Sequence, residues 1–181
     1  KGASYDYEVL AIEESGNQTL SSANFATTDM TIAKTQDVGD TVAPGDIFSY
    51  TLTVQNYFQD PVEFEIFDAL NMNLDYVIGS LVVSENGQGG FVDDVLTFWT
   101  DSLDYLDTLT ISFQVMVSDL ANYGDSITNM ATVSVFSPGA TEPFLTKDSN
   151  LVSVEVVPEP STLIFFGTGL IGLLALVRRS R

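Results

Sequence analysis

The chain contains no cysteine and no histidine, and these two absences exclude several familiar kinds of site. Without cysteine there are no disulfide bonds, no thiol nucleophile and no thiolate ligands for a metal. Without histidine there is no serine–histidine–aspartate triad and no imidazole ligand for zinc. The usual hydrolase mechanisms are therefore excluded, and the protein has to be stabilised by something other than disulfides.

Positive charge is also scarce. The 181 residues include 25 acidic residues against six lysines and arginines, which gives a formal net charge of −19. A surface this acidic repels phosphate backbones, so nucleic acid is excluded as a partner. The same surface favours solubility outside a cell and could attract divalent cations.

Apolar residues make up 45% of the chain, and between residues 30 and 135 they alternate with serine, threonine and other polar residues. Alternation of this kind occurs in Ile47–Asn56, Leu109–Val117 and Ile127–Val135, so each is predicted to be a strand with one apolar face. Turn-forming sequences punctuate this region: Pro44-Gly45-Asp46, Ser84-Glu85-Asn86-Gly87 and Gly89-Gly90. Short strands with frequent turns predict an antiparallel β-sandwich.

The C-terminal segment has a different composition. Pro158, Glu159 and Pro160 are followed by residues 161–177, which carry no charge, and then by an arginine cluster: Arg178, Arg179 and Arg181. As a helix, residues 161–177 would be about 25 Å long, at the short end for crossing a hydrocarbon core. The arginines are expected to stay in the cytoplasm, which places the rest of the chain outside. A buried helix of a soluble domain is a poor alternative, because the segment is apolar all round.

The order of Pro-Glu-Pro, apolar stretch and arginine cluster closely resembles the PEP-CTERM sorting signal. The resemblance implies export, recognition by exosortase-type sorting machinery, and cleavage near the proline motif. It also implies association with the cell surface or with an extracellular matrix. A membrane and matrix polysaccharide are therefore expected partners.

The segment Asp40–Asn56 strongly resembles a repeat of bacterial and archaeal surface proteins, the domain of unknown function 11 family, and Ile127–Val133 resembles the last strand of that repeat. The resemblance implies an immunoglobulin-like sandwich used as a stalk or spacer. We therefore expect an all-β, immunoglobulin-like antiparallel β-sandwich followed by one C-terminal apolar α-helix. Residues 1–29 are expected to form an extension with an edge or donor strand, residues 30–157 the sandwich, and residues 158–181 the sorting tail.

Three polar residues fall in phase with the apolar faces of predicted strands: Lys34, Asp68 and Asn129. Their placement is similar to that of collagen-adhesin-type isopeptide domains. The resemblance implies a lysine nucleophile at Lys34, an amide acceptor at Asn129 and a catalytic acid at Asp68. A buried Lys34–Asp68 ion pair with Asn129 as a structural hydrogen-bonding residue is the alternative, and the phase of the residues supports both equally.

Acidic clusters, among them Asp101, Asp104 and Asp107, are weak candidates for a calcium site, and no EF-hand spacing accompanies them. No other cofactor is predicted. No carboxylate pair can be singled out as that of a glycosidase, so we expect a protein that is not an enzyme.

The leading hypothesis is an exported structural protein of the cell surface or extracellular matrix, acting as a spacer or adhesive module. The alternative is a subunit of a self-assembling filament, a homopolymer formed through the N-terminal strand or the C-terminal helix. A carbohydrate-active enzyme is the third hypothesis.

Overall fold

The computed structural model describes residues 4–12, 18–26, 30–85, 87–100 and 102–159, and for residues before 30 it describes the backbone alone. The secondary structure of these residues consists of β-strands. In chain order the strands are β1 (Ser4–Ile12), β2 (Gln18–Ala26), β3 (Met30–Gln36), β4 (Thr41–Val42), β5 (Ile47–Asn56), β6 (Glu63–Ala69), β7 (Leu74–Tyr76), β8 (Val82–Val83), β9 (Gly87–Val92), β10 (Val95–Thr100), β11 (Thr108–Val117), β12 (Ser126–Asn129), β13 (Thr132–Phe136), β14 (Leu145–Asp148) and β15 (Val152–Val156).

Two larger sheets enclose one core. The first has the order β14-β13-β6-β10-β9, and the second has the order β3-β5-β11-β7 with β8 also pairing with β11. A third, small sheet has the order β12-β15-β4, in which β15 and β4 run parallel. Buried apolar residues of all three sheets form a single cluster. The predicted all-β sandwich is therefore confirmed.

The alternation seen in the sequence is the alternation of the strand faces. In β5 the apolar residues Phe48, Tyr50, Leu52 and Val54 are buried, and the intervening residues are partly exposed. The same pattern runs through β11, which pairs with β5 along nine residue positions. Because successive side chains of a strand point to opposite faces, the apolar period of two places one whole face in the core.

The predicted single strand Ile127–Val135 is in fact two strands in different sheets. β12 pairs with β15, whereas β13 pairs with β6 and β14, and the chain crosses between sheets at Met130 and Ala131. The apolar face was predicted correctly, since Ile127 and Val133 are both fully buried. An uninterrupted alternation of apolar and polar residues can therefore extend over two consecutive strands that pair in different sheets.

The predicted turn at Gly89-Gly90 is wrong, because both glycines lie inside β9. The β9–β10 hairpin turns at Asp93 and Asp94, whose φ angles are 51° and 59°. Positive φ at both central residues is the geometry of the tight turn that matches strand twist, and aspartate tolerates it better than most residues do. Gly89 has a φ of 153°, and a Cβ there would lie 2.2 Å from the Thr97 carbonyl oxygen.

The strands nearest the N-terminus form a separate sheet. β1 pairs with β2 in antiparallel register from Ser4–Ala26 to Ile12–Gln18, and their sheet shares no strand with the other three. At the other end of the chain, the predicted apolar helix, Pro160 and the arginine cluster lie outside the described residues. The part of the chain that the structure describes holds no helix with the length and hydropathy to cross a membrane. The domain limits at residues 30 and 158 stay predictions.

Candidate functional site

The three polar residues singled out in the sequence, Lys34, Asp68 and Asn129, are all buried in the core. Lys34 comes from β3, Asp68 from β6 and Asn129 from β12, so each belongs to a different sheet. All three are almost completely inaccessible to solvent, with exposures of 1%, 0% and 3%. Each lies on the same strand face as buried apolar residues and therefore points into the interior. Lys34, for example, lies on the same face of β3 as the buried Met30.

Lys34 and Asp68 are in direct contact across the sandwich. The Nζ atom of Lys34 donates to the Oδ2 atom of Asp68, and neither side chain has any exposed surface. Two aromatic rings border the ammonium group: its Nζ atom lies 4.6 Å from the ring centroid of Tyr50 and 5.5 Å from that of Phe113. Little in this environment can solvate the two charged groups, so each depends mainly on the other.

Burial shifts both groups toward their neutral forms. It lowers the pKa of the Lys34 amine, and the charge and hydrogen bond of Asp68 oppose that shift. Burial also raises the pKa of the Asp68 carboxyl, with Lys34 and then the Asn129 amide opposing. The pKa of the Tyr50 hydroxyl is raised by burial and by the nearby Asp68 charge. The cluster therefore favours a neutral amine beside a protonated acid more than water would.

Several polar atoms of the cluster have no well-formed hydrogen bond. They are Oδ1 of Asp68, the hydroxyl of Tyr50, and both Nδ2 and Oδ1 of Asn129. A hydrogen bond from the Asn129 amide opposes the rise in the Asp68 pKa, although its geometry is too poor to pair either Asn129 amide atom fully. A buried polar group left without a good partner costs about 1–3 kcal/mol, and such groups are unusual in a native core.

A fourth residue, Asn150, was not anticipated from the sequence, and it lies between β14 and β15. Its side chain accepts a hydrogen bond from the Lys34 backbone N–H at 2.9 Å and donates one to the Lys34 carbonyl at 2.9 Å. Nearby, the Nζ atom of Lys147 donates to the Met30 carbonyl at 2.9 Å. These contacts fix the outer edge of β3, and no local pattern predicts them because they join residues 116 or 117 positions apart.

Other sequence candidates lie apart from this cluster. Within the described ranges, no group of three or more acidic residues is placed to hold a metal ion. Asp101 lies outside the described residues, and the Asp107 N–H donates to the Asp104 carbonyl in a turn. The calcium site therefore stays a prediction. Pro158 and Glu159 follow β15 without regular secondary structure.

The chemistry of these three side chains would allow one reaction between them. A neutral lysine amine is a nucleophile, a side-chain amide is an acyl acceptor, and a protonated carboxyl can polarise the amide carbonyl. The structure brings the amine and the carboxyl into contact and places the amide beside the carboxyl. Formation of the bond itself stays a prediction.

Comparison with known proteins supports the tail and the fold. Residues 156–179 match the PEP-CTERM protein-sorting motif, and no curated protein matches the chain. The fold resembles BcpA, the major pilin subunit of Bacillus cereus, with a TM-score of 0.59 and 15% identity over 84% of this chain and 48% of that one. It also resembles the RrgA Jo.In complex, with a TM-score of 0.53 and 11% identity over 84% and 93% of the two chains.

A third similar structure is the pilus backbone RrgB of Streptococcus pneumoniae, with a TM-score of 0.50 and 12% identity over 72% of this chain and 48% of that one. The chain thus spans about half the length of the two pilin chains that it resembles. At such low identity these likenesses establish the kind of sandwich, and the motif match confirms the predicted sorting tail and export. The chain is therefore an exported, extracytoplasmic β-sandwich protein that carries a PEP-CTERM protein-sorting motif.

Proposed function

We propose that this protein is a surface-displayed structural module, a spacer or adhesive unit, whose sandwich is locked by an isopeptide bond between Lys34 and Asn129. The observation that carries the proposal is the buried Asn129 amide beside the buried Lys34–Asp68 contact, with no well-formed hydrogen bond to either of its amide atoms. A protein without cysteine that works outside the cell gains from another kind of covalent crosslink, because extracellular domains often depend on one.

The bond forms within the folded chain and needs no cofactor. The neutral Nζ atom of Lys34 attacks the Cγ atom of Asn129, while protonated Asp68 donates a hydrogen bond to the amide oxygen. The Cγ–Nδ2 bond then breaks, the proton lost by the lysine nitrogen passes through Asp68 to the leaving group, and ammonia departs. The product is a secondary amide, and Asp68 ends in the protonation state in which it began.

The crosslink explains the cluster better than a static ion pair does. In an ion pair Asn129 would serve as a well-aligned hydrogen-bonding partner, yet its amide meets Asp68 with poor hydrogen-bond geometry. The reaction removes the Nδ2 group as ammonia and converts the titratable lysine amine into an uncharged amide. The secondary amide that remains can bond to the unpaired Oδ1 atom of Asp68, so one reaction relieves several costs.

The bond would also suit a load-bearing role. It joins β3, the first strand of the sandwich, to β12, and β12 pairs with β15 at the end of the sandwich. Force applied between the two ends of the sandwich then passes through a covalent link. Such a module agrees with the resemblance to the domain of unknown function 11 family. It also agrees with the proposed partners, which are a matrix polysaccharide and the sorting machinery.

A filament subunit is the second candidate. One observation favours it: β1 and β2 form a two-stranded sheet that shares no pairing with the sandwich. An isolated hairpin is marginally stable, so these strands would gain from pairing with another copy of the chain.

Intact-mass analysis of the purified chain tests the crosslink. We expect the wild-type protein to be lighter than its sequence by about 17 Da, one ammonia, and Lys34→Arg and Asn129→Ala to have their full masses. Digestion should yield a branched peptide joining the segments that contain Lys34 and Asn129. A wild-type protein of full mass, with a Lys34 amine that acylates after unfolding, would disprove the bond. If Lys34→Arg is also lighter by one ammonia, the loss occurs at another site.

A further inference from the structure

Two loops at one end of the sandwich expose large apolar side chains. Met72 lies between β6 and β7, and Leu120 and Tyr123 lie between β11 and β12, with exposures of 93%, 87% and 61%. The loops are joined to each other, since the Ser118 N–H donates to the Asn73 carbonyl at 2.9 Å. We refer to residues 70–73 and 118–125 together as the exit end.

The chain leaves the sandwich at this same end. The Gly124 N–H donates to the Val156 carbonyl at 2.8 Å, and the Val157 N–H donates to the Val42 carbonyl at 2.8 Å. The uncharged stretch begins at Ser161, four residues beyond Val157. Four residues span at most about 14 Å when fully extended, so the exit end has to lie close to the point where that stretch begins.

We propose that the exit end rests on the membrane surface while the sorting tail is inserted, with Met72, Leu120 and Tyr123 among the lipid headgroups. The proposal rests on the membrane insertion of the tail that the sequence predicts. Apolar and tyrosine side chains are favoured at this depth, because one part of each is apolar and the tyrosine hydroxyl stays hydrated. The contact would hold the Pro158–Pro160 motif at the bilayer surface during sorting.

The charge of the exit end specifies the lipid. Asp119 and Asp125 lie in the same loops, and Asp46 lies in the neighbouring β4–β5 turn. Two of these carboxylates bond within the loops: Asp46 accepts from the Ala43 N–H at 2.8 Å, and Asp125 accepts from the Asn122 N–H at 3.0 Å. Their negative charge disfavours anionic headgroups, so the surface fits a zwitterionic lipid.

The opposite end of the sandwich provides a matched control. Tyr105 is also a loop tyrosine, 45% exposed, and it lies just before the start of β11, whereas Tyr123 follows the end of β11. Ten residues of β11 separate the two ends, which is about 33 Å. Exposure of apolar side chains is therefore not confined to the exit end. The exit end differs because the chain connects it directly to the uncharged stretch, and this connection identifies its partner as a membrane.

Because the chain has no cysteine, single cysteines can be labelled specifically. The full chain is reconstituted in nanodiscs of zwitterionic phosphatidylcholine, with a nitroxide label at Leu120→Cys, Tyr123→Cys, Tyr105→Cys or Ala175→Cys. Collision rates with oxygen and with a water-soluble nickel complex report the depth of each label. We expect the labels at 120 and 123 to collide several-fold less with nickel than the label at 105, and the label at 175 to be fully protected.

Each other outcome has a defined meaning. If the label at 175 is protected but those at 120 and 123 are as accessible to nickel as the one at 105, docking of the exit end is disproved and the inserted tail stands. If the label at 175 is itself accessible to nickel, insertion of the tail fails, and the docking fails with it. Stronger protection in nanodiscs that contain anionic lipid would contradict the inferred lipid preference.

Discussion

The side chain of Asn150 pairs with the backbone of Lys34 as a neighbouring strand would, through one accepted and one donated hydrogen bond of 2.9 Å each. Asn150 lies two residues before Val152, which pairs with Asn129 of β12. The Asn150 side chain therefore links the strand that carries the proposed nucleophile to the strand beside the proposed acceptor. Its action on the reaction would be one of positioning, because it contacts neither reacting atom.

Asn150→Ala should slow formation of the crosslink, because β3 loses both bonds that hold its edge at Lys34. We expect the variant to retain a measurable uncrosslinked fraction in a time course of cell-free synthesis followed by intact mass. Asn150→Asp keeps the acceptor but places a carboxylate oxygen against the Lys34 carbonyl, so it should be at least as slow as Asn150→Ala. Gln36→Ala is the control, since it removes a different bond from β3, the one to the Ser153 carbonyl at 3.2 Å. Equal rates in all four proteins would remove Asn150 from this role.

Lys34→Met should make stability fall as the pH rises. Burial raises the pKa of Asp68 in the folded state, and loss of the lysine removes the largest effect opposing that rise. The folded state then binds more protons than the unfolded state above about pH 3.8, the ordinary pKa of the group. Stability is therefore greatest below that pH and declines up to the raised pKa, with a slope of up to about 1.4 kcal/mol per pH unit.

Chemical denaturation of this variant at several pH values between about 4 and 8 measures the slope. The double variant Lys34→Met/Asp68→Asn is the control, since it has no ionisable group in the cluster apart from the Tyr50 hydroxyl. It should lose most of the slope, while the general effect of the acidic surface remains in both proteins. Identical slopes would show that Asp68 titrates normally in the folded protein.

Gly89→Ala should destabilise the protein by about 1–3 kcal/mol. The new Cβ would lie 2.2 Å from the Thr97 carbonyl oxygen, and the φ of 153° is one that side chains rarely adopt. Gly90→Ala is the matched control, because a Cβ at the adjacent residue meets nothing within 4 Å. Thermal unfolding of the two variants compares them, and an equal change in both would contradict the close approach of β9 to β10.

The crosslink should shorten the contour length that is released on mechanical unfolding. A bond between Lys34 and Asn129 takes about 95 residues out of the force path, which is about 340 Å of extended chain. We expect single-molecule pulling on the wild-type sandwich to give a contour length shorter by that amount than for Lys34→Arg. Equal contour lengths in the two proteins would mean that no covalent bond bears the load.

The sequence by itself determined which residues face the core. Period-two alternation is a local property, and β5 and β11 bury the faces that it predicts, because burying any other face would expose four or five large apolar side chains. The same reasoning identified Lys34, Asp68 and Asn129 as interior polar residues, and the order of tail features identified the sorting motif.

Only the tertiary structure decided which strands pair and which residues complete the site. The exchange of sheets after Asn129, the place of Gly89 inside a strand and the bonds from Asn150 to Lys34 depend on contacts between distant residues. An alternating strand can pair equally well with several others, so its own sequence does not select a partner. The selection comes from closing the loops and filling one shared core, which are properties of the whole chain.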